Sequence, residues 1–556
     1  MPARAALCVI GVVSAALAAV SVARGDTPGP TGSTAPVLEP LVKEEGLKRV
    51  EIDAPGEFLE SNVHYVLTKD ITAPRDALRF GRPWDKRVAN CIIDLNGHTV
   101  TYNDEGYTPD FKSVCHGIFV FGTGPVVIRN GTVLQGKGRD AGCDALNLNG
   151  ALCDVSGLTV KVYGAGCTAI ARAGGGKGGR IHDNYIEVHG TSVTRWSGAP
   201  AGIALSYAGP DWEVYNNTIV GGHYCIGVQA NARPRQDTAA RIHHNRLMPR
   251  RTPGVKSPHA VFIYTAEKNE IYENLIDAID ARGINVQMGS KDNHVHHNLV
   301  AARYTRDARG AGGYDENRCY GYWERSGGKS GNRVTHNIFI VNNATTGDAT
   351  SSTIGLIVGT GVNYPEALLT GEYSGNVVLC HHDDRTRPVT GIELKRCGDG
   401  VVVSGNRIVA RTVGICVEGN SSGVKVSNNT VLRPADSDDA WKALGGDDLA
   451  RCPMTGNREL RLAKDKDAPA PPAGLEVIER PGAVELRWKR STEDDLAGYR
   501  VWRDGKPVDV PLRGAPFWVD LDVKAGQAYR YAVTAVDLSG NESPPSAPVA
   551  VTPADR

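Results

Sequence analysis

Aromatic residues are scarce in this 556-residue chain, at 6%, and methionine is scarcer still, with four in all. A large helical core would need more of both, so the composition argues against a helical bundle. Net charge is also missing: 62 basic residues balance 62 acidic ones. That excludes a polycation wrapping nucleic acid and an acidic disordered tail, and leaves charge-driven recognition to local patches. No stretch beyond the N-terminus approaches the roughly 20 apolar residues a membrane-spanning helix needs. Glycine, by contrast, is plentiful at 65 residues, a profile suited to many short strands joined by tight turns.

The N-terminus carries Arg4, an apolar run from Leu7 to Val20, and then the small residues Ser21, Val22 and Ala23 before Gly25. This pattern reads as a secretory signal over residues 1–25, which makes the mature protein secreted, periplasmic or attached to the cell surface. Cys8 leaves with the signal, and the eleven remaining cysteines are an odd number without short metal-ligand spacing. Cys167, Cys225 and Cys416 lie in strand-like segments, where they are expected as small buried hydrophobes, and disulfide pairing is left open. No metal site and no cofactor are expected, with calcium left open.

An internal repeat organises the middle of the chain. RIHDNYI, EVYNNTI, RIHHNRL, EIYENLI, HVHHNLV, RVTHNIF, EYSGNVV, VVSGNRI and KVSNNTV each flank one asparagine with apolar or β-branched residues. The asparagines are Asn184, Asn217, Asn245, Asn274, Asn298, Asn337, Asn376, Asn406 and Asn429, with Asn130 and Asn457 as weaker extensions. Successive members stand 23 to 39 residues apart by subtraction. That period fits a coil of about three short strands, with the asparagines aligned at one turn and bonded to one another. A second phrase recurs between them, as in AGIAL, CIGVQ, AVFIY, RGINVQ, IGLIV, TGIELK and VGICVE, with apolar residues on a period of two.

With this repeat the sequence resembles the secreted right-handed parallel β-helix proteins, the pectate-lyase-like superfold with PbH1-type repeats. IIDLNGHTV (Ile92 to Val100) and VIRNGTV (Val127 to Val133) are similar to that group's first coils. The resemblance implies an all-β chain, with an N-terminal segment and cap over 26–90 and the helix over 91–457. It is specific for the fold and weak for the reaction, because this solenoid carries lyases, hydrolases, epimerases and non-catalytic proteins. A linker follows over 458–473, with Asp436, Asp438 and Asp439 before it and the run from Ala468 to Pro472 within it. Residues 474–556 resemble a fibronectin type III module, a β-sandwich, through Trp488, Tyr529 and Tyr531. Such a module implies a spacer or attachment role without chemistry.

Aligning the second phrase places Ile203, Ile226, Val261, Ile284, Tyr322, Leu356, Ile392 and Ile415 in one inward row and Leu205, Val228, Ile263, Val286, Glu324, Val358, Leu394 and Val417 in the next. The outward positions then bring aromatic, cationic and amide side chains together in the middle coils. Tyr224, Phe262, Tyr264 and Trp323 would stack on sugar faces, while Gln229, Asn285, Gln287 and Lys256 would bond hydroxyls or acidic groups. The register buries Glu324, and a one-residue slip would instead expose it together with Tyr320 and Tyr322 as a binding group.

Seven basic residues between Ala232 and Lys256 (Arg233, Arg235, Arg241, Arg246, Arg250, Arg251 and Lys256) face only Asp237 in sequence, which favours an acidic, uronate-containing polysaccharide. β-Elimination on such a glycan needs a neutralising cation, a base and an acid. Arg282, His259 and Tyr320 are assigned those roles in that order, assisted by Arg325 or Lys256. A glycoside hydrolase is the alternative, needing two carboxylates from among Asp280, Asp315, Glu316, Glu324, Asp383 and Asp384. A non-catalytic polysaccharide-binding or cell-surface protein is the third reading. The expected partner is thus a polysaccharide, with no nucleic acid, no membrane span and a monomeric chain. The column of His182, His243 and His296, interleaved with Tyr215 and Tyr272, is expected to be stacked rings at a turn.

Overall fold

Residues following one another at strand spacing, with one turn-forming asparagine per repeat, build a solenoid. The structure, a computed structural model, describes residues 39–554 apart from 106–113, 140, 174–177, 191–198, 207–208, 231–235, 251–257, 306–317, 327–328, 346–351, 360–367, 435–436, 438–439, 463–465, 494 and 509–511. Residues 1–25, read above as a signal, and Lys256, Arg233, Arg235, Arg251, Asp315, Glu316, Asp436, Asp438 and Asp439 therefore lie outside the described residues. The chain is an all-β right-handed parallel β-helix followed by a β-sandwich. Among the described residues the one helical element is the 3-10 turn Leu449–Arg451.

Every pairing between neighbouring coils is parallel. A 14-stranded sheet forms one wall of the solenoid, and a 27-stranded sheet, bent at the asparagine corner, supplies the other two. The bend is visible within single strands: Pro125–Gln135 and Leu152–Val162 each run eleven residues around it. Stacking begins at Lys48–Ile52 and ends with Arg458–Arg461. The coils thus extend into both segments that the sequence assigned to a cap and a linker.

The corner has a simple backbone cause. The residue before each ladder asparagine adopts a left-handed conformation, with φ between 52° and 66° at Asp183, Asn216, His244, Glu273, His297, His336, Gly375, Gly405, Asn428 and Gly456. Only Gly, Asn, Asp and His enter this region at little cost, which explains most of the residue types found there. The asparagine that follows then turns inward. From Asn184 to Asn457 each side-chain amide donates to the Oδ1 of the next, at 2.9–3.0 Å, and that Oδ1 also accepts the preceding asparagine's backbone N–H. Asn130 does not belong to this ladder. It occupies the left-handed corner position itself, φ 60°, and bonds Asp94.

A second ladder went unnoticed in the sequence. Asn269 donates to Asn293 at 2.7 Å and Asn293 to Asn332 at 3.0 Å, and the ladder ends where Asn332 donates to Glu324 at 2.7 Å.

Both inward rows of the 14-stranded wall are at most 1% exposed, so the aligned register is the one adopted. The pairings Asn285↔Trp323 and Val286↔Glu324 rule out the one-residue slip. One further position per coil faces inward, between the first outward row and the first inward row. It is held by Gly202, Cys225, Ala260, Gly283, Gly321, Gly355, Gly391 and Gly414. A Cβ at any of these glycines would come within 2.2–2.7 Å of a side chain on the opposite wall. The close approach of two walls, rather than turn geometry, therefore accounts for this part of the glycine content.

The eleven cysteines from Cys91 to Cys452 are thiols that form no disulfide, ten of them buried and Cys416 half-buried. Cys115, Cys143 and Cys167 stack in successive coils, each of the first two donating its backbone N–H to the next sulfur at 3.2 Å.

The C-terminal sandwich has a three-stranded and a four-stranded antiparallel sheet, and Trp488, Tyr529 and Tyr531 are in its core. It does not hang from a linker. Its core is continuous with Tyr185, Val220, Met248 and Leu299 on the outside of the second solenoid wall. Arg513 reaches Asp277 at 3.3 Å, and Thr218 donates to Glu485 at 3.2 Å.

Candidate functional site

Three outward rows run along the 14-stranded wall, and backbone register fixes which side chains are neighbours. The first row carries Tyr224, His259, Arg282 and Tyr320; the second Gly227, Phe262, Asn285 and Trp323; the third Gln229, Tyr264, Gln287 and Arg325. At about 4.8 Å per strand, these four coils span roughly 15 Å.

The rings form a connected surface. Tyr224 lies over Gly227, where a Cβ would meet its ring at 2.5 Å, and stacks on Phe262 with centroids 5.8 Å apart. Phe262 stacks in turn on Tyr264 at 5.8 Å and on His259 at 5.5 Å. Glycine at 227 is what lets the tyrosine lie flat. Gln229 donates to the Tyr224 hydroxyl at 3.0 Å, and burial raises that phenol to about 12. On the far side, the Arg282 guanidinium lies 4.8 Å from the Tyr320 ring and 5.2 Å from the Trp323 ring, and Arg325 approaches Trp323 at 5.9 Å. Cation–π contacts of this kind hold the indole in place.

Burial divides the expected residues into two layers. Phe262, Tyr264, Trp323, Gln229, Gln287 and Arg325 are partly exposed. Tyr224, His259, Arg282 and Tyr320 are 8%, 5%, 4% and 1% exposed and Asn285 is fully buried, so Tyr224 and Asn285 support the surface from below instead of meeting a sugar as expected. The Asn285 amide lies 3.3 Å from a His259 ring nitrogen, while its Oδ1 has no hydrogen-bond partner among the described residues. Desolvation, reinforced by Arg282 and His223, holds His259 well below the usual imidazole range, so it is neutral at pH 7. Burial also removes Tyr320 from the role of proton donor to a surface ligand, because its ring supports Arg282 from beneath.

Two expectations are corrected. Glu324 is not a binding group: it is fully buried inside the solenoid, accepting bonds from Tyr322 at 2.9 Å, Tyr373 at 2.6 Å and Asn332 at 2.7 Å. Burial raises its pKa, and the strand alternation that puts Trp323 outside necessarily puts it inside. The basic segment does not face the shelf either, as far as it is described. Arg241 pairs with Glu213, Arg250 donates to the Val519 carbonyl of the sandwich, and burial beside Arg487 lowers Arg246 to about 10.

No family model matches the sequence. An α-amylase from Niallia circulans is 37% identical over 99 residues, which are 17% of this chain and 8% of that enzyme. The chain therefore spans about 8% of the length of that curated relative. Among solved structures, the tailspike protein of E. coli bacteriophage HK620, in complex with a pentasaccharide, aligns over 91% of this chain and 86% of its own at 11% identity and a TM-score of 0.46. A fibronectin type III-like protein from Clostridium thermocellum aligns over 15% of this chain and 92% of its own at 26% identity and a TM-score of 0.14.

The other clusters named from sequence have structural explanations. His182, Tyr215, His243, Tyr272 and His296 form one stack on the 27-stranded sheet, with centroids 4.6–5.2 Å apart and planes within 15° of parallel. Glu270, His294 and His296 offer ligand atoms within 4.8 Å of one another. Arg333 donates to His294 Nδ1 at 3.2 Å, placing positive charge where a cation would have to bind. Asp384 organises its own loop, accepting from the Thr386 N–H and hydroxyl and from Arg387.

Proposed function

We propose that this is an exported carbohydrate-active protein that lays a polysaccharide along the outer face of the 14-stranded wall. The observation that carries the reading is the register-locked surface of Phe262, Tyr264 and Trp323, with the buried Tyr224 ring packed behind Phe262. Its ring faces are bordered by the amides Gln229 and Gln287 and the guanidinium of Arg325. Sugars present CH faces to such rings and hydroxyls to such amides.

β-Elimination on a uronate-containing glycan is the chemistry we assign to it. Among the described residues, the ionisable groups at the shelf are cations and a neutral imidazole, whereas Glu324, Asp280 and Asp384, three of the carboxylates considered for hydrolysis, are engaged elsewhere. Glu324 is in the interior, and Asp280 accepts from the Thr305 N–H at 2.7 Å and hydroxyl at 2.9 Å. Arg325 meets the substrate carboxylate, Arg282 adds positive potential, His259 takes the C5 proton once the Phe262 ring has moved off it, and as the C4–O bond breaks the departing glycosidic oxygen takes its proton from solvent water, leaving a C4–C5 double bond.

The test is a panel of acidic and neutral polysaccharides assayed for ultraviolet absorbance of unsaturated ends and, in parallel, for reducing ends. Elimination yields both signals, and His259→Ala and Arg282→Ala each lower them at least a hundredfold. Reducing ends without absorbance assign hydrolysis instead, and full activity in both variants removes the two residues from the mechanism.

A further inference from the structure

The three outward rows do not end at Tyr224. Continued toward the N-terminus by register, the first row passes through Ala201 and Thr168 to Asp144, His116 and Asp76, and the second through Ala204 and Ala171 to Asn147, Phe119 and Arg79. The third reaches Asn149 and Phe121. Small residues floor the stretch between this pole and the shelf, so both line one face.

The pole has the same chemistry as the shelf in a different arrangement. Phe119 and Phe121 are near-parallel, 10° apart with centroids at 6.3 Å, and Arg79 and Arg87 lie 5.0 and 4.9 Å from their ring centroids. Asn149 donates to Asn147 at 2.6 Å, Asn147 to Asp144 at 3.0 Å, and the Thr168 N–H to Asp144 at 2.9 Å. Asp76 accepts from the His116 N–H at 2.7 Å and from Arg79 at 2.8 Å. The Nδ1 of His116 is buried without a partner among the described residues.

On the loop between Phe80 and Val88 stands Trp84, 95% exposed, the most exposed large hydrophobic side chain of the protein's described residues. Its loop is closed by the Arg82 N–H to Lys86 carbonyl bond and is tied to the strand beneath where Val88 donates to the Phe121 carbonyl. An indole exposed on a loop that is anchored to the Phe121 strand has no packing role to explain it.

We propose that Trp84, Phe119, Phe121, Asn147 and Asn149 form a second sugar-binding site, which takes an uncharged, hydroxyl-rich unit of the same polysaccharide. This rests on the glycan reading of the shelf and extends it. Asp76 and Asp144 accept hydroxyls and disfavour a uronate here, while burial already pushes Asp144 up to about 6. Seven strand steps separate Phe119 from Trp323, about 34 Å, so only a polymer reaches both sites and a trisaccharide is confined to one.

The experiment is isothermal titration calorimetry with glucuronoxylan, whose neutral backbone bears scattered uronates, and with polygalacturonate and xylan as all-uronate and neutral controls, each as polymer and as trisaccharide, on the full chain and on Trp84→Ala, Phe121→Ala and Trp323→Ala. Trp84→Ala retains the wild-type melting temperature, because its side chain packs on nothing, and weakens polymer binding at least tenfold while trisaccharide binding at the shelf is unchanged. Trp323→Ala weakens both. Wild-type polymer affinity in Trp84→Ala and Phe121→Ala, alongside a loss in Trp323→Ala, overturns the second site and leaves the shelf standing. Binding of no probe by the wild-type chain overturns the shelf reading and this one with it.

Discussion

Cutting the buried ion pair between the solenoid and the sandwich tests whether the C-terminal domain is part of the scaffold or an appended module. Asp277 and Arg513 meet at 3.3 Å with side chains 4% and 1% exposed. Desolvation raises the Asp277 pKa against the pull of Arg513 and Arg303, which marks how little water reaches the pair. Asp277→Ala leaves the Arg513 guanidinium buried without its carboxylate, and removing one partner of such a pair costs about 3–5 kcal/mol. That lowers the docking equilibrium by about two to four orders of magnitude. Replacing both partners, as in Asp277→Leu with Arg513→Met, removes the stranded charge, so the double variant is less destabilised than Asp277→Ala. Calorimetry reads the outcome. The wild-type chain melts with solenoid and sandwich in one transition, and Asp277→Ala shows an earlier, separate sandwich transition. A single-substitution cost below about 1 kcal/mol, or a double variant as unstable as the sum of its singles, refutes the argument.

Two further predictions concern the solenoid alone. Asn298, in the middle of the ladder, donates to the Ile271 and His296 carbonyls and to Asn337, and accepts from Asn274, so Asn298→Ala strands several buried groups. Chemical denaturation should show a loss of about 2–4 kcal/mol, larger than for Asn457→Ala at the ladder's end. His182 is opposed by burial, yet Asp154 and Asp183 outweigh that and hold it at about 9 against an unfolded value of 6.5. Its contribution to stability is therefore full below pH 6.5 and is lost as pH rises through 9. Melting temperature followed from pH 6 to 10 should fall along that limb in the wild type and stay flatter in His182→Phe.

Much of the site's geometry was legible because strand alternation and coil repetition leave few choices. Once the recurring Ile-x-Val positions were aligned, the outward neighbours Tyr224, His259, Arg282, Phe262, Asn285 and Trp323 followed, and the pairings reproduce that alignment. Depth was not legible. Nothing in the sequence indicated that Arg282 would lie against Tyr320 and Trp323, or that Tyr224 would cover Gly227, because rotamers respond to neighbours on other coils. The N-terminal pole was not legible for a related reason: its coils lack the regular asparagine phrase, so no repeat aligns Asp76, His116 and Asp144 with the row.

By itself the sequence determined the parallel β-helix, since asparagines recurring at coil spacing can be satisfied only by stacking on one another, and it determined the register, since a slip of one residue would turn every apolar row to water. The tertiary structure decided what the basic segment, Glu324 and the sandwich do. Arg246 and Arg250 are turned toward the sandwich rather than toward a substrate, Glu324 ends a buried amide ladder, and the C-terminal domain shares its core with the second wall. Each of these depends on contacts between residues far apart in the chain, whose partners no local pattern records, and the same contacts leave the outer face of the 14-stranded wall as the surface where ring faces and amides meet solvent together.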